Sequence, residues 1–164
     1  MLVSAKEMLN KAKAGKYAVG QFNINNLEWT KAILLTAEEL RSPVIIGTAE
    51  VLLPFGELKL IAPSIIAAAK RATVPVVVHY DHGLTFERCM EALQLGFSSI
   101  MFDGSAGDAE ENLKNTAQMV KIAHAMGATI EGELGHVGFT KDEDMDEFTT
   151  PEDAKKFVEE TGVS

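Results

Sequence analysis

The stretch Pro75-Val76-Val77-Val78-His79-Tyr80-Asp81-His82-Gly83 decides how the rest of the chain is read. Its apolar run is continuous rather than alternating, the pattern of a strand buried on both faces of a parallel sheet, and Asp81 ends it. A helix from about Glu57 to Arg71 leads into it, and Thr85 caps a following helix that Gly96 closes. Upstream, Ser4-Ala5-Lys6-Glu7 is a capping-box pattern opening an amphipathic helix that stops at Gly15. Tyr17 to Asn23 reads as the first strand, about Asn26 to Leu40 as a helix, and Pro43 to Gly47 as the second strand. Downstream, Ser98 to Asp103 is a fourth strand, and a helix opens at Asp108-Ala109-Glu110-Glu111 and closes at Gly127. Ala128 to Leu134 is a fifth strand. Thr150-Pro151 supplies an N-cap and an N1 proline for a last helix ending at about Thr161.

Five alternations of strand and helix with short connections imply parallel strands joined by right-handed crossovers. Two architectures satisfy them. A five-stranded doubly wound sheet is complete at this length, whereas a (β/α)8 barrel typically takes ~250 residues. No low-complexity linker or short repeat divides the 164 residues, so one domain is expected.

Composition narrows function. With 46% hydrophobic and 24% charged residues, the chain can bury a sizeable core. Fifteen Lys plus Arg against 24 Asp plus Glu give a net charge of −9, which argues against a phosphate-neutralising surface and so against nucleic acid. The acidic excess lies after residue 100, partly in the run 141–147, read as a solvated loop. Cys89 is the lone cysteine, and no signal-peptide pattern opens the chain, so a reducing, cytoplasmic setting is expected. No apolar run approaches the ~18 residues of a membrane span.

Both architectures place their sites at the carboxyl ends of the strands. Those ends are polar here: Gln21 to Asn26, Thr48-Ala49-Glu50, His79 to Gly83, Asp103-Gly104-Ser105, and Glu131 with Glu133. Glu131 and Glu133 stand two apart and share a face, where paired carboxylates call for donors or a cation. Asn25 or Asn26 doubles as a helix cap, and Asp103-Gly104 doubles as a turn. Asp81-His82, an acid and an imidazole after an apolar strand, is the strongest functional signal. His136 is as readily loop as site. Dinucleotide-binding, P-loop and nucleophile-elbow motifs are absent.

His79-Tyr80-Asp81-His82-Gly83, with Gly20 to Asn26 and Glu131-Gly132-Glu133-Leu134-Gly135, resembles the class II, zinc-dependent ketose-bisphosphate aldolases, to which fructose- and tagatose-bisphosphate aldolases belong. The resemblance spans the whole chain and implies a TIM barrel, of which this chain supplies about the first five β/α units. It implies a lyase that reversibly cleaves a ketose 1,6-bisphosphate into dihydroxyacetone phosphate and glyceraldehyde 3-phosphate, working in the cytoplasm as a homo-oligomer, a dimer or tetramer. Asp81 would be the general acid/base at the C4 hydroxyl, and His82 one of three zinc histidines. Asp103 and Glu133 would be carboxylates near the metal, and Asn23 and Gly138 would bind substrate. The cofactors implied are Zn2+ and, beside the phosphate, a monovalent cation. Three positions depart from the family pattern: Ala49 replaces a common serine, Phe139 replaces the second glycine of the pair begun by Gly138, and Thr140-Lys141 stand where a loop acid is usual. The rival expectation is a catalytically inactive half-barrel, or a non-enzymatic partner or scaffold subunit.

Overall fold

Strand three, β3, runs over Val76–Gly83, and its first three valines have no exposed surface. In this computed structural model, which describes residues 1–135 and 149–164, it lies at the centre of a five-stranded sheet. Around it are β1 (Gln21–Asn23), β2 (Val44–Ala49), β4 (Ser99–Phe102) and β5 (Thr129–Gly132). Every neighbouring pair is parallel, and the spatial order is the sequence order, β1-β2-β3-β4-β5.

That order separates the two expected architectures. A doubly wound sheet reverses direction partway and so places helices on both faces, whereas uninterrupted sequential order with right-handed crossovers puts every crossover helix on one face. The helices concerned are α2 (Leu27–Glu39), α3 (Leu58–Arg71), α4 (Phe86–Leu95) and α5 (Ala109–Ala125). The main core gathers Val44, Ile46, Val76, Val78, Tyr80, Ile100, Phe102 and Ile130 from the sheet against these helices. Ile45 and Val77, pointing the other way, pack on Ala5 and Met8 of α1 (Ala5–Gly15), which covers the amino-terminal end of that second face. Asn23, His79, Asp81, Ser99 and Glu131 share the rest of that face with Ala49 and Met101, and this polar lining together with the sequential strand order excludes the doubly wound alternative.

Local chemistry explains the boundaries. Ser4 caps α1, and Asn26, Thr85 and Asp108 cap α2, α4 and α5 with their side-chain oxygens. Thr150 and Asp153 form a reciprocal capping box for α6 (Pro151–Thr161). β1 is shorter than the sequence pattern indicates: Lys16 turns left-handed to end α1, Tyr17 is exposed, and pairing with β2 begins at Gln21. β5 ends at Gly132, leaving Glu133 just beyond it. β3 is longer than expected, since Asp81 pairs with Ala49 and Gly83 with Phe102. A 3-10 turn over Glu50–Phe55, with no periodic signal in the sequence, joins β2 to α3. Among the described residues, no helix is long and apolar enough to cross a membrane.

Candidate active site

The carboxyl ends of β1, β3, β4 and β5 bring five of the six expected site residues to one face of the sheet. The sixth, Gly138, lies outside the described residues, as do His136, Phe139 and the acidic run. Asn23, at the end of β1, donates from Nδ2 to Asp81 Oδ2 at 2.9 Å. The intervening strand must be thin for that contact, and Gly47 of β2 makes it so: a Cβ there would lie 3.0 Å from Asn23 Oδ1 and 3.0 Å from the His79 carbonyl.

His82 lies at a break in the ladder. The register of β3 on β4 shifts between Tyr80 and Gly83, and His82 takes a left-handed φ of 47°. A non-glycine residue in that region is strained and needs its surroundings to hold it. Gly83 follows because a Cβ there would collide with Cys89 Sγ and crowd the Met101 carbonyl at 2.9 Å. The bulge aims the imidazole across β4: Nδ1 lies 2.9 Å from Asp103 Oδ2 and 3.5 Å from Glu133 Oε2. His82, Asp103 and Glu133 each offer a ligand atom, all within 4.8 Å of one another.

Asp103 is both turn and site. Its Oδ1 accepts from the Ser105 amide at 3.0 Å and the Ser105 hydroxyl at 2.6 Å, leaving Oδ2 for His82. Burial works against the charged carboxylate, but the bonds from Ser105 and His82 outweigh it and hold the carboxyl below its usual range. An ionised carboxylate only accepts, so Nδ1 of His82 carries the hydrogen and neutral His82 keeps its lone pair on Nε2. The bond His82 donates to Asp103 pulls its imidazole above the ordinary pKa against desolvation, and the charges of Asp81 and Glu133 add to the rise.

Beneath this layer lies His79, 3% exposed. Its Nδ1 meets Ser99 Oγ at 2.8 Å, while Nε2 makes no hydrogen bond and sits 3.8 Å from Asp81 Oδ1 and 3.9 Å from Glu131 Oε2. Burial pushes its pKa down to about 4 against the pull of Asp81. Desolvation and the Asp81 charge push the Glu131 carboxyl up. Residues that sequence reasoning passed over support the cluster from behind. Asn112, buried on α5, donates to the Glu133 carbonyl at 2.8 Å and accepts from Thr116 at 3.1 Å. Its Oδ1 also occupies the space a Cβ on Gly104 would need. Asn26 is the helix cap of its pair, and Cys89 is a core residue whose thiol burial drives up to about 12.

Sequentially ordered parallel strands with a polar, imidazole- and carboxylate-lined carboxyl end define a barrel-type β/α fold with a site suited to a divalent cation. Comparison with known proteins makes this specific. The family model described as fructose-bisphosphate aldolase class-II matches residues 3–164, and the chain belongs to that family. It is 47% identical over 168 residues to the fructose-bisphosphate aldolase of Geobacillus stearothermophilus, covering 99% of this chain and 58% of that protein. It is 46% identical over 144 residues to the 6-phospho-5-dehydro-2-deoxy-D-gluconate aldolase of Halalkalibacterium halodurans, covering 86% of this chain and 50% of that one. The crystal structure of the YdjI aldolase from Escherichia coli superposes with a TM-score of 0.88 at 34% identity, over 99% of this chain and 59% of that one. The chain thus spans between 50% and 59% of the length of these relatives, and its sheet is the corresponding five-unit part of the TIM barrel.

Proposed function

We propose that this chain carries the proton-transfer and part of the metal-binding apparatus of a class II aldolase, a lyase that reversibly cleaves a ketose 1,6-bisphosphate, fructose or tagatose, into dihydroxyacetone phosphate and glyceraldehyde 3-phosphate. The observation that carries the reading is the side-by-side placement of an oriented carboxylate, Asp81 held by Asn23, and a three-donor group, His82 with Asp103 and Glu133.

An imidazole with nearby carboxylates suits Zn2+: His82 would offer Nε2 and Glu133 a carboxylate oxygen, while Asp103, whose Oδ2 accepts from His82 Nδ1, would orient the ring rather than ligate. Bound there with ligands from elsewhere in the protein, Zn2+ would supply a Lewis acid for the substrate's C2 carbonyl. The chain's own residues handle the rest. Asp81 takes the proton from the C4 hydroxyl as C4 becomes an aldehyde and the C3–C4 electron pair stays with C3, which gains a proton to complete dihydroxyacetone phosphate; in the reverse direction Asp81 returns its proton to the C4 oxygen. Asn23 fixes Oδ2 of that carboxylate, and Oδ1 lies 3.8 Å from Nε2 of the buried His79. Phosphate and monovalent-cation binding belong, in this reading, to the segment with Gly138, and the working form is a cytoplasmic homo-oligomer, dimer or tetramer.

These groups act on a carbon–carbon bond and a hydroxyl common to many aldol substrates, consistent with relatives named for two different substrates. They therefore specify reaction type more than the sugar. The test is Asp81→Ala in the intact protein, with Zn2+ uptake and unfolding measured beside fructose 1,6-bisphosphate cleavage. Turnover should fall by about 10²- to 10⁴-fold, with folding and metal content unchanged. Equal turnover refutes the role of Asp81, and a zinc-loaded wild type without cleavage favours the inactive half-barrel.

A further inference from the structure

We propose that Glu50 is a positioning residue for His82: its carboxylate braces the turn that carries the imidazole. The inference rests on reading His82 as a metal ligand. Glu50 opens the 3-10 turn directly after β2, and its Oε2 accepts two hydrogen bonds, from the Tyr80 hydroxyl at 3.0 Å and from the Leu84 amide at 2.9 Å. Those donors stand two residues before and two residues after His82.

The placement matters because the ladder gives out between them. The pairing of β2 with β3 ends at Ala49 and Asp81, and that of β3 with β4 skips from Tyr80 to Gly83, so neither register includes His82. The residue is also held at a positive φ, which an unsupported backbone would leave. Tyr80 is fully buried and packs edge-on against Phe97, so its ring is a fixed anchor whose hydroxyl needs an acceptor. Leu84 N–H lies past the strand end. One carboxylate oxygen ties anchor to loop, and both bonds are of the strong, charge-assisted kind. Asp103 then grips the imidazole from the opposite side, which fixes His82 at backbone and ring.

The test measures Zn2+ binding to the full chain by competition with a chromophoric chelator, alongside thermal melting of the metal-free protein. Glu50→Leu keeps the bulk and removes the acceptor, whereas Glu50→Gln keeps a carbonyl oxygen that can take both bonds. E50L should weaken Zn2+ binding about tenfold or more, the scale of lost outer-shell support, while E50Q stays within about threefold. A stabilising role alone would lower the melting temperature of E50L and leave Zn2+ affinity in the folded protein intact, and that result would overturn the proposal. Amide hydrogen exchange of Leu84 in the wild-type chain is the second measurement and needs no variant. Slow exchange is expected, and exchange at the rate of an unprotected loop amide overturns the brace. A wild-type chain that takes up no Zn2+ refutes the metal assignment of the site and not the brace, which the Leu84 exchange decides alone.

Discussion

Replacing Asp103 by asparagine should damage the site more than replacing it by alanine, although asparagine is the closer mimic. Oδ1 of Asp103 serves two donors of Ser105 and Oδ2 serves one of His82. An amide has one oxygen and one NH2, so it must choose. At about 1 kcal/mol net per hydrogen bond, two bonds to Ser105 outweigh one to His82, and the Ser105 backbone N–H, unlike a hydroxyl, cannot reverse its role. The amide NH2 therefore faces His82, Nδ1 becomes an acceptor, and the hydrogen moves to Nε2, the nitrogen the proposed site directs to the metal. Restoring the metal-competent tautomer costs that bond and sets two N–H groups facing each other. Roughly 1.4–2.7 kcal/mol results, or 10- to 100-fold in Zn2+ affinity, on top of the lost carboxylate. Alanine loses the carboxylate too but leaves the imidazole to choose its tautomer in solvent. Chelator competition ranks the three proteins, and the ring nitrogen shifts of His82 report its tautomer without metal. An Asp103→Asn protein that binds Zn2+ better than Asp103→Ala, or that keeps the Nδ1–H tautomer, refutes the reasoning.

Two further outcomes follow from the residues behind the site. Asn112→Ala strips the partner from the half-buried Glu133 carbonyl and leaves the buried Thr116 hydroxyl without its Asn112 acceptor, so urea unfolding should show a loss of about 1–3 kcal/mol; a midpoint unchanged from wild type would show that water replaces the amide at no cost. His79 is held neutral, with its pKa down at about 4, so the unfolded chain takes up a proton that the folded one refuses as pH falls below the unfolded value of about 6.5. Stability should therefore decline from about pH 6.5 and level off below about pH 4, a loss on the order of 2–3 kcal/mol by pH ~4.5, and His79→Gln should remove this part of the slope.

The strands were legible where burial alone shaped them. Val76 to Val78 and Ile45-Ile46 are apolar because helices or α1 cover both faces, and that pattern reads directly from sequence. Tyr17 to Val19 carries the same kind of residues without the pairing, because strand length depends on what the neighbour's backbone offers, and β2 offers partners only from Ile45 to Gly47. Strand order was not legible in the alternation itself, and only the family resemblance pointed to the sequential order of a barrel. Both candidate architectures share the same alternation, and the choice lies in which edge each crossover returns to, a tertiary fact that leaves no local mark.

For the site, the position rule marked the stretches: polar residues at the carboxyl ends of parallel strands converge whatever their spacing in sequence, and the family resemblance singled out Asn23 within its stretch, 58 residues from the Asp81 to which it is hydrogen-bonded. What the rule cannot supply is conformation. Nothing local in Tyr80-Asp81-His82-Gly83 signals that His82 turns left-handed, since the cause is remote: Glu50 holding the backbone, Asp103 holding the ring, and Cys89 and Met101 forbidding a side chain at Gly83. Asn112 was invisible for the same reason. On a helix it is one polar residue among several, and only the approach of Gly104 and the Glu133 carbonyl gives it work. The chemistry of such a site is thus written at strand ends, while its precision resides in residues whose partners lie on other elements.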